Sequence, residues 1–504
     1  MPPSEKRPAF LLTYCLASLL ACLPIILFIP RYIDDYRRGT RGYFDWTEAG
    51  FRPLADWLYS AFNLGSPAIA VAPLAQLCSI PVSAIGALAI SRTFQISNHC
   101  LAAAASLPIF INPYFLENLS YGFDSLSMTT ALTLALVAAA LVSDQNPWRG
   151  WGSATCCLLA CLLLYQPAVG SFLPLALIAW LWRGSTTSHS TTRKSCGLPA
   201  LMAIVGAPAA SLIAYGVCMK LFWVHRTEYG QSYSRLKPPS DMLNGIAIGL
   251  TTYLNSLWKD WHNTALMPIF ALLVIGFVIA LTARLSQRMT RTKSFVIAAI
   301  MPALLLCIAP GPMYLLEFTD FIETPRMNPY IGALVGSLAL PVASWASDLS
   351  RKSLLRPAGI AILSAWLWCQ LVFSYAYGHA MQAQREFEQS RLTRLIDDIS
   401  HLDINRQAKI IQFEGAMPPS PLLANTTRKF PLMDKLVRRM INGPWFWGSQ
   451  QLNWLGLDVE AANQNQASPM DVRRAQACRN DQTSRCSSEH NILLAGERVI
   501  VMMK

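Results

Sequence analysis

The residues with the most chemistry to offer lie between positions 31 and 56. There Asp34 and Asp35 stand side by side, and Asp45, Glu48 and Asp56 follow. Arg31, Arg37, Arg38, Arg41 and Arg52 are interleaved with Tyr36, Tyr43, Phe44, Trp46 and Phe51. Two adjacent carboxylates repel each other's charge, which suits one of them to take a proton from a hydroxyl. Guanidinium groups present forked donors that match phosphate oxygens. Aromatic faces stack on sugar rings or settle at lipid headgroup depth. A carboxylate pair, arginine clamps and aromatic platforms are what transfer from a phosphate-linked sugar requires. The same composition also suits an amphipathic helix in a membrane interface, its arginines on headgroups and its acids pairing them. On these residues alone both readings stand.

The elements that must carry this loop are apolar. Of 504 residues 53% are hydrophobic and only 14% charged, with mean hydropathy +0.33, too few charges to cover a water-soluble body of that size. Apolar runs occupy 9–30, 66–91, 98–112, 127–142, 153–166, 170–182, 199–223, 264–283, 295–314, 330–348 and 357–378. They predict about eleven transmembrane helices, the shorter ones tilted or re-entrant, with breaks at Pro108 and Gln166-Pro167. The first run follows Lys6 and Arg7 and precedes no small-residue cleavage signal, so it reads as a retained helix.

Basic residues orient the set. With the N-terminus inside, Arg92, Arg149, Arg183, Arg193, Lys194, Arg284, Arg288, Arg291, Lys293, Arg351, Lys352 and Arg356 fall in short inner loops. The net charge of +12 follows mainly from this topology and gives no support to a nucleic-acid partner. The acid-and-arginine stretch is then part of an outer loop, 31–65, joined on that face by loops 113–126, 224–263 and 315–329. An odd number of spans puts the tail outside as well. The expected division is a transmembrane domain, 1–378, and an outer C-terminal domain, 379–504. In the latter, a polar helical start, a strand-like Lys409–Glu414 and a terminal Val499–Met503 predict a small α/β module. Most of the thirteen cysteines sit in apolar runs as small hydrophobes. Cys478 and Cys486 lie in the tail and predict a disulfide; a metal pair is the less favoured alternative, because His401 and His490 make no ligand spacing.

Asp34-Asp35 shortly after the first span, followed by Gly50-Phe51-Arg52-Pro53-Leu54-Ala55-Asp56, resembles the signature of the Gtr-type O-antigen glucosyltransferases, the serotype-converting enzymes of phages and bacteria. Asn112-Pro-Tyr-Phe-Leu-Glu-Asn-Leu-Ser-Tyr-Gly-Phe-Asp-Ser125 and Thr324-Pro325-Arg326 are similar to two further elements of that family. The resemblance runs over most of residues 10–440. It implies an all-α, GT-C-like polytopic membrane enzyme. Such an enzyme takes a hexose, glucose, from undecaprenyl-phosphate-linked sugar and adds it to O-antigen or a related glycan of lipopolysaccharide. It works at the periplasmic face of the bacterial inner membrane, with the lipid bilayer as its other partner. No nucleotide sugar and no cofactor are implied, and the absence of a Gly-rich phosphate loop agrees. The resemblance further implies Asp34 or Asp35 as general base, and Arg326 with Arg37, Arg38 or Arg52 on the donor phosphate. It puts Asp124, Tyr121 and Glu117 near the acceptor, Asp124 either binding it or positioning a catalytic arginine.

Each of these has a plainer reading. Asp124 can cap the helix that begins near Ser125. Arg326 can pair locally with Glu317, Asp320 and Glu323, an interaction of little worth at a surface. The loop from 224, with His225, Arg226, Glu228, Tyr229, Tyr233, Arg235 and Lys237, is either a substrate lid or solvated surface. The rival function is a lipid-linked sugar flippase or transporter, which needs ionisable residues deep inside several spans. Here the spans are nearly free of charge. An O-acetyltransferase or phosphoethanolamine-type modifier ranks last, because the spans show no His-based acyl-transfer motif.

Overall fold

A computed structural model describes residues 6–29, 31–143, 147–184, 198–222, 227, 230, 235–317, 324–350, 353, 355–402, 408–443, 446–462 and 466–504. The chain folds as two compact units. One comprises 1–26, 44–65 and 71–375; the other comprises 27–43, 66–70 and 376–504.

Among the described residues of the first unit, eight helices are long and apolar enough to cross a membrane. They are Arg7–Phe28, Leu74–Thr93, Ser125–Val142, Pro199–Leu221, Leu266–Leu285, Arg291–Ile308, Tyr330–Asp348 and the apolar start of Leu355–Leu402. A ninth is counted if His99–Phe110 and Pro113–Ser120, bent by 69°, form one broken span. This is fewer than the eleven apolar runs predict. The run at 98–112 breaks where Asn112 caps the next helix through its side chain and Pro113 occupies that helix's first turn. The runs at 153–166 and 170–182 give Pro147–Leu164 and the 13-residue Phe172–Gly184, separated by a 3-10 segment at Gln166–Ser171. Pro167 has no N–H to continue the first of these as an α-helix.

Tyr330–Asp348 lies at the centre of this unit, with 89% of its apolar window buried, against 22% for Arg291–Ile308. Small residues allow it to sit there. A Cβ on Gly332 would fall on the Ile109 carbonyl oxygen and the Asn112 amide, and one on Gly336 would fall on the Ile109 side chain. The glycines are one turn apart on the same face, the close-approach pattern of membrane helices. The loop from 224 contains a further helix, Met242–Trp261, not anticipated from the sequence. Gly245, Gly249, Tyr253, Ser256 and Asp260 form its buried face, while Leu243, Ile248 and Trp258 are exposed. His225, Arg226, Glu228, Tyr229 and Tyr233 lie outside the described residues.

The second unit is an α/β module. Leu355–Leu402 runs 48 residues, about 72 Å at 1.5 Å per residue, so it continues well past its apolar first half. Its residues from Ala376 onward belong to this unit. Strands β1 (Ile410–Glu414), β2 (Glu460–Ala461), β3 (Ser484–Cys486), β4 (His490–Ala495) and β5 (Arg498–Met503) form one mixed sheet in the order β2-β1-β5-β4-β3. β1 pairs in parallel with β2 and β5, whereas β4 pairs antiparallel with β5 and β3. Leu392, Leu395 and Ile399 of the long helix pack on Ile411, Phe413, Val499 and Val501, one residue in two along β1 and β5. Ala475 covers the other face at Leu493 and Ile500. Cys478 and Cys486 are joined as a disulfide. Residues 27–43, which take in the start of the first outer loop, and 66–70, which open the second apolar run, group with this module.

Candidate active site

In the membrane unit the site grows from the segment Gly50–Asp56. Phe51 takes a left-handed conformation and Arg52 a non-helical one (φ −123°, ψ 63°), as suits the residue before a proline, and Pro53 then opens the helix Pro53–Phe62. The Asp56 carboxylate accepts the amides of Trp46, at 3.0 Å, and Thr47, at 2.5 Å, and the Thr47 hydroxyl. It therefore serves to hold the preceding turn. From this N-cap position the Arg52 side chain is buried. There it forms a forked ion pair with Asp124, Nη1 to Oδ2 at 2.8 Å and Nη2 to Oδ1 at 2.5 Å. Its Nε donates to the Leu164 carbonyl at 2.6 Å, and Nη2 also donates to Ser127 Oγ at 2.9 Å.

Asp124 occupies the N-cap position of the helix Ser125–Val142 but makes no side-chain cap bond. Its carboxylate instead takes the Arg52 fork and the Ser127 hydroxyl, at 2.6 Å. Both members of the pair expose only 10% of their side chains.

Arg326 is held separately, on the short 3-10 turn Pro325–Met327. Its amide donates to Glu117 Oε2 at 2.8 Å, and its carbonyl accepts the Tyr165 hydroxyl at 2.6 Å and Asn118 Nδ2 at 3.1 Å. The guanidinium donates to the Tyr121 hydroxyl and lies 5.3 Å over that ring. Glu117, Tyr121 and Arg326 are thus brought together. Of the acids expected around Arg326, Glu317 pairs with Arg235 at 3.5 Å, and Asp320 and Glu323 lie outside the described residues. Sequence reasoning missed Tyr165 and Gln166. Tyr165 lies 5.1 Å beneath the Arg52 guanidinium, and Gln166 Nε2 donates to Gly50 O at 2.7 Å and Tyr215 Oη at 2.9 Å. The signal was a polar Gln-Pro inside an apolar run, read only as a break.

Asp34, Asp35, Arg37 and Arg38 belong to the second unit. Asp34 precedes, and Asp35 opens, the helix Asp35–Arg41, which Gly42 ends in the left-handed conformation. Consecutive residues on a helix point about 100° apart, so the two carboxylates cannot share an environment. Asp35 is buried, 2% exposed, and its Oδ2 accepts the Tyr32 amide at 2.8 Å. Asp34 is half-buried, makes no side-chain cap bond, and its carboxylate accepts no hydrogen bond from the described residues. Arg37 is exposed, and its guanidinium lies 5.3 Å over the Tyr43 ring; that of Arg38 lies 5.6 Å over the same ring. The Tyr32 hydroxyl ties the segment to the C-terminal module through the Leu436 carbonyl, at 2.8 Å. Among the described residues, no group of three or more His, Cys, Asp or Glu is placed to hold a metal ion.

A partly exposed carboxylate beside arginines and an aromatic ring is an arrangement that can deprotonate a hydroxyl next to a bound anion. The chain is 27% identical, over 85% of its length and 86% of the relative's, to an uncharacterized 55.3 kDa protein from the gtrB 5′ region of Salmonella phage P22. Residues 12–335 match the family profile described as Glucosyl transferase GtrII. That match takes in the outer-loop acids, the Arg52–Asp124 pair and Arg326, and the chain belongs to the GtrII glucosyl transferase family.

Proposed function

We propose that this protein transfers glucose from an undecaprenyl-phosphate-linked donor to O-antigen or a related envelope glycan, at the periplasmic face of the bacterial inner membrane. The chain keeps its N-terminus in the cytoplasm and its C-terminal module outside. Asp34 is the general base: it takes the proton of the acceptor hydroxyl as that oxygen attacks the anomeric carbon. The polyprenyl phosphate leaves.

The observation that carries this reading is the contrast within the acid pair. Asp35 is buried and committed to the Tyr32 amide, whereas the Asp34 carboxylate is open and accepts no hydrogen bond from the described residues. Arg37 and Arg38 stand within one helical turn of Asp34 and offer donors to a phosphate. Arg326, whose backbone is held by Glu117, Asn118 and Tyr165, is the corresponding donor of the membrane unit. We assign Arg52 and Asp124 to positioning, because each uses its charge on the other.

The test is the lipopolysaccharide of otherwise identical strains with and without this gene, compared by mass spectrometry and NMR. A new hexose branch is expected. A glycan unchanged in mass and linkage would sink the proposal.

A further inference from the structure

The helix Met242–Trp261 takes no part in the roles above, yet its buried face reaches the Arg326 turn from two sides. On one side is Asp260, 3% exposed. Its Oδ2 accepts the Tyr114 hydroxyl at 3.0 Å. Tyr114 lies on the helix Pro113–Ser120, which also carries Glu117 and Asn118. Residues three and four apart on a helix share a face, so Tyr114, Glu117 and Asn118 turn together. Glu117 and Asn118 in turn hold the Arg326 amide and carbonyl. On the other side, Tyr253 packs edge-on against Tyr330, with ring centroids 5.9 Å apart. The Tyr330 hydroxyl donates to Asn328 Oδ1, and Asn328 Nδ2 donates to the Thr324 carbonyl at 3.3 Å. That bond closes the turn on which Arg326 sits.

A brace works only if it is itself fixed. Trp261, the residue after Asp260, packs on Phe270 of the span Leu266–Leu285 at 5.1 Å and on Trp366 of the long helix at 6.2 Å. Phe270 and Trp366 also pack on each other, at 6.1 Å. The Thr264 hydroxyl donates to the Trp261 carbonyl at 2.6 Å. Three packed rings therefore set where Asp260 stands. A carboxylate so buried is costly unless it is hydrogen-bonded. The bond it makes fixes direction as well as distance, which an apolar contact at the same place does not. Arg326 depends on such neighbours, because its own turn is only three residues long. We propose that Asp260 is a positioning residue for Arg326: through Tyr114 it sets the rotation of Pro113–Ser120, and with it the placement of the Arg326 guanidinium. The consequence for transfer, in which Arg326 takes the donor phosphate, rests on the glucosyl-transfer reading above.

The test is hydrogen exchange of the full-length chain in detergent, read by mass spectrometry on peptides covering 324–328. Beside it, the KM for polyprenyl-phosphate-linked glucose and the KM for the acceptor are measured in membranes. Asp260→Ala and Tyr114→Phe should each speed exchange at 324–328 about tenfold, the loss of one buried hydrogen bond, and the double variant no further. The Trp46 and Thr47 amides, held by Asp56 in the same unit, should keep the parent rate. Asp260→Asn keeps an oxygen for the Tyr114 hydroxyl and should stay close to the parent. In transfer, Asp260→Ala should raise the donor KM about tenfold and leave the acceptor KM unchanged. Parent-rate exchange at 324–328 in Asp260→Ala would overturn the assignment. So would Asp260→Asn exchanging as fast as Asp260→Ala, additive effects in the double variant, or equal acceleration at Trp46 and Thr47. Exchange needs no substrate, so the two readings fail separately. Faster exchange in Asp260→Ala from a parent that transfers no glucose removes the transfer reading and keeps the brace. A parent that transfers glucose, with the donor KM unmoved in Asp260→Ala, does the opposite.

Discussion

Replacing Asp124 with Asn keeps the side chain's size and removes its charge, which leaves the Arg52 guanidinium buried with no counter-charge in its fork. The side chains of both residues are 10% exposed, so water cannot substitute for the lost partner. Breaking a buried pair from one side costs about 3–5 kcal/mol. The introduced amide retains a carbonyl oxygen for one of the two bonds, which puts Asp124→Asn at the lower end, about 3 kcal/mol. Arg52→Gln should cost at least as much, because the Leu164 carbonyl and the Ser127 hydroxyl lose their donors as well. Arg52→Met combined with Asp124→Leu should recover part of the loss, since an apolar pair leaves no charge uncompensated. The assay is denaturation of the full-length protein in one detergent, followed by tryptophan fluorescence, beside transfer activity in membranes. A double variant whose loss equals the sum of the single losses to within about 0.5 kcal/mol would refute the coupling. An Asp124→Asn chain that melts with the parent but transfers no sugar would refute the positioning role and return Asp124 to the reacting groups.

Asp34→Asn should reduce glucosyl transfer by about 10² to 10⁴ while melting stays at the parent value, whereas Asp35→Asn should lower the melting temperature; equal transfer by Asp34→Asn and parent would remove the base. Burial raises the Glu388 carboxyl from its ordinary 4.5 to about 7, against the lowering pull of its bonds to Gln384 and Met440 and of Arg439. A raised folded-state value means stability that is full below pH 4.5 and lost as pH rises through 7, about 3 kcal/mol in all. Glu388→Gln should therefore flatten the denaturation profile between pH 4.5 and pH 8, and an unchanged slope would show that the loss comes from other groups. Gly332→Ala sets a methyl against the Ile109 backbone carbonyl and should destabilise by about 1–3 kcal/mol. Gly336→Ala meets only the flexible Ile109 side chain and should be milder, so the reverse order in denaturation would contradict the packing described.

The sequence by itself determined the class of this protein and the identity of its chemistry-bearing residues. So many apolar runs, most of them about as long as a bilayer requires, with so few charges, have no other stable solution than membrane helices. The strand-like Lys409–Glu414 and the apolar Val499–Met503, set beside a polar helix, carried the α/β module, and two cysteines in a polar tail carried the disulfide. Asp34, Asp35, Arg52, Asp124 and Arg326 were all legible as candidates, because acids and arginines so near apolar runs are rare. What they do there was not legible. Arg52 read as a phosphate ligand, and Asp124, 72 residues away, as an acceptor ligand or the positioner of an unspecified arginine; packing makes Arg52 that arginine. Glu117 meets Arg326 across 209 residues of chain, and Glu388 and Arg438 line one cleft with Arg31. Asp34 and Asp35 looked interchangeable, and only the direction of the helix they begin buries one and leaves the other open. The break at Gln166-Pro167 was legible, but the contacts of Gln166 and the amphipathic helix Met242–Trp261 were hidden for the same reason. Spacing along a chain reports periodicity, which local backbone geometry fixes. Which charge meets which is settled by packing between segments far apart in sequence, where burial makes an unpaired charge too costly to keep.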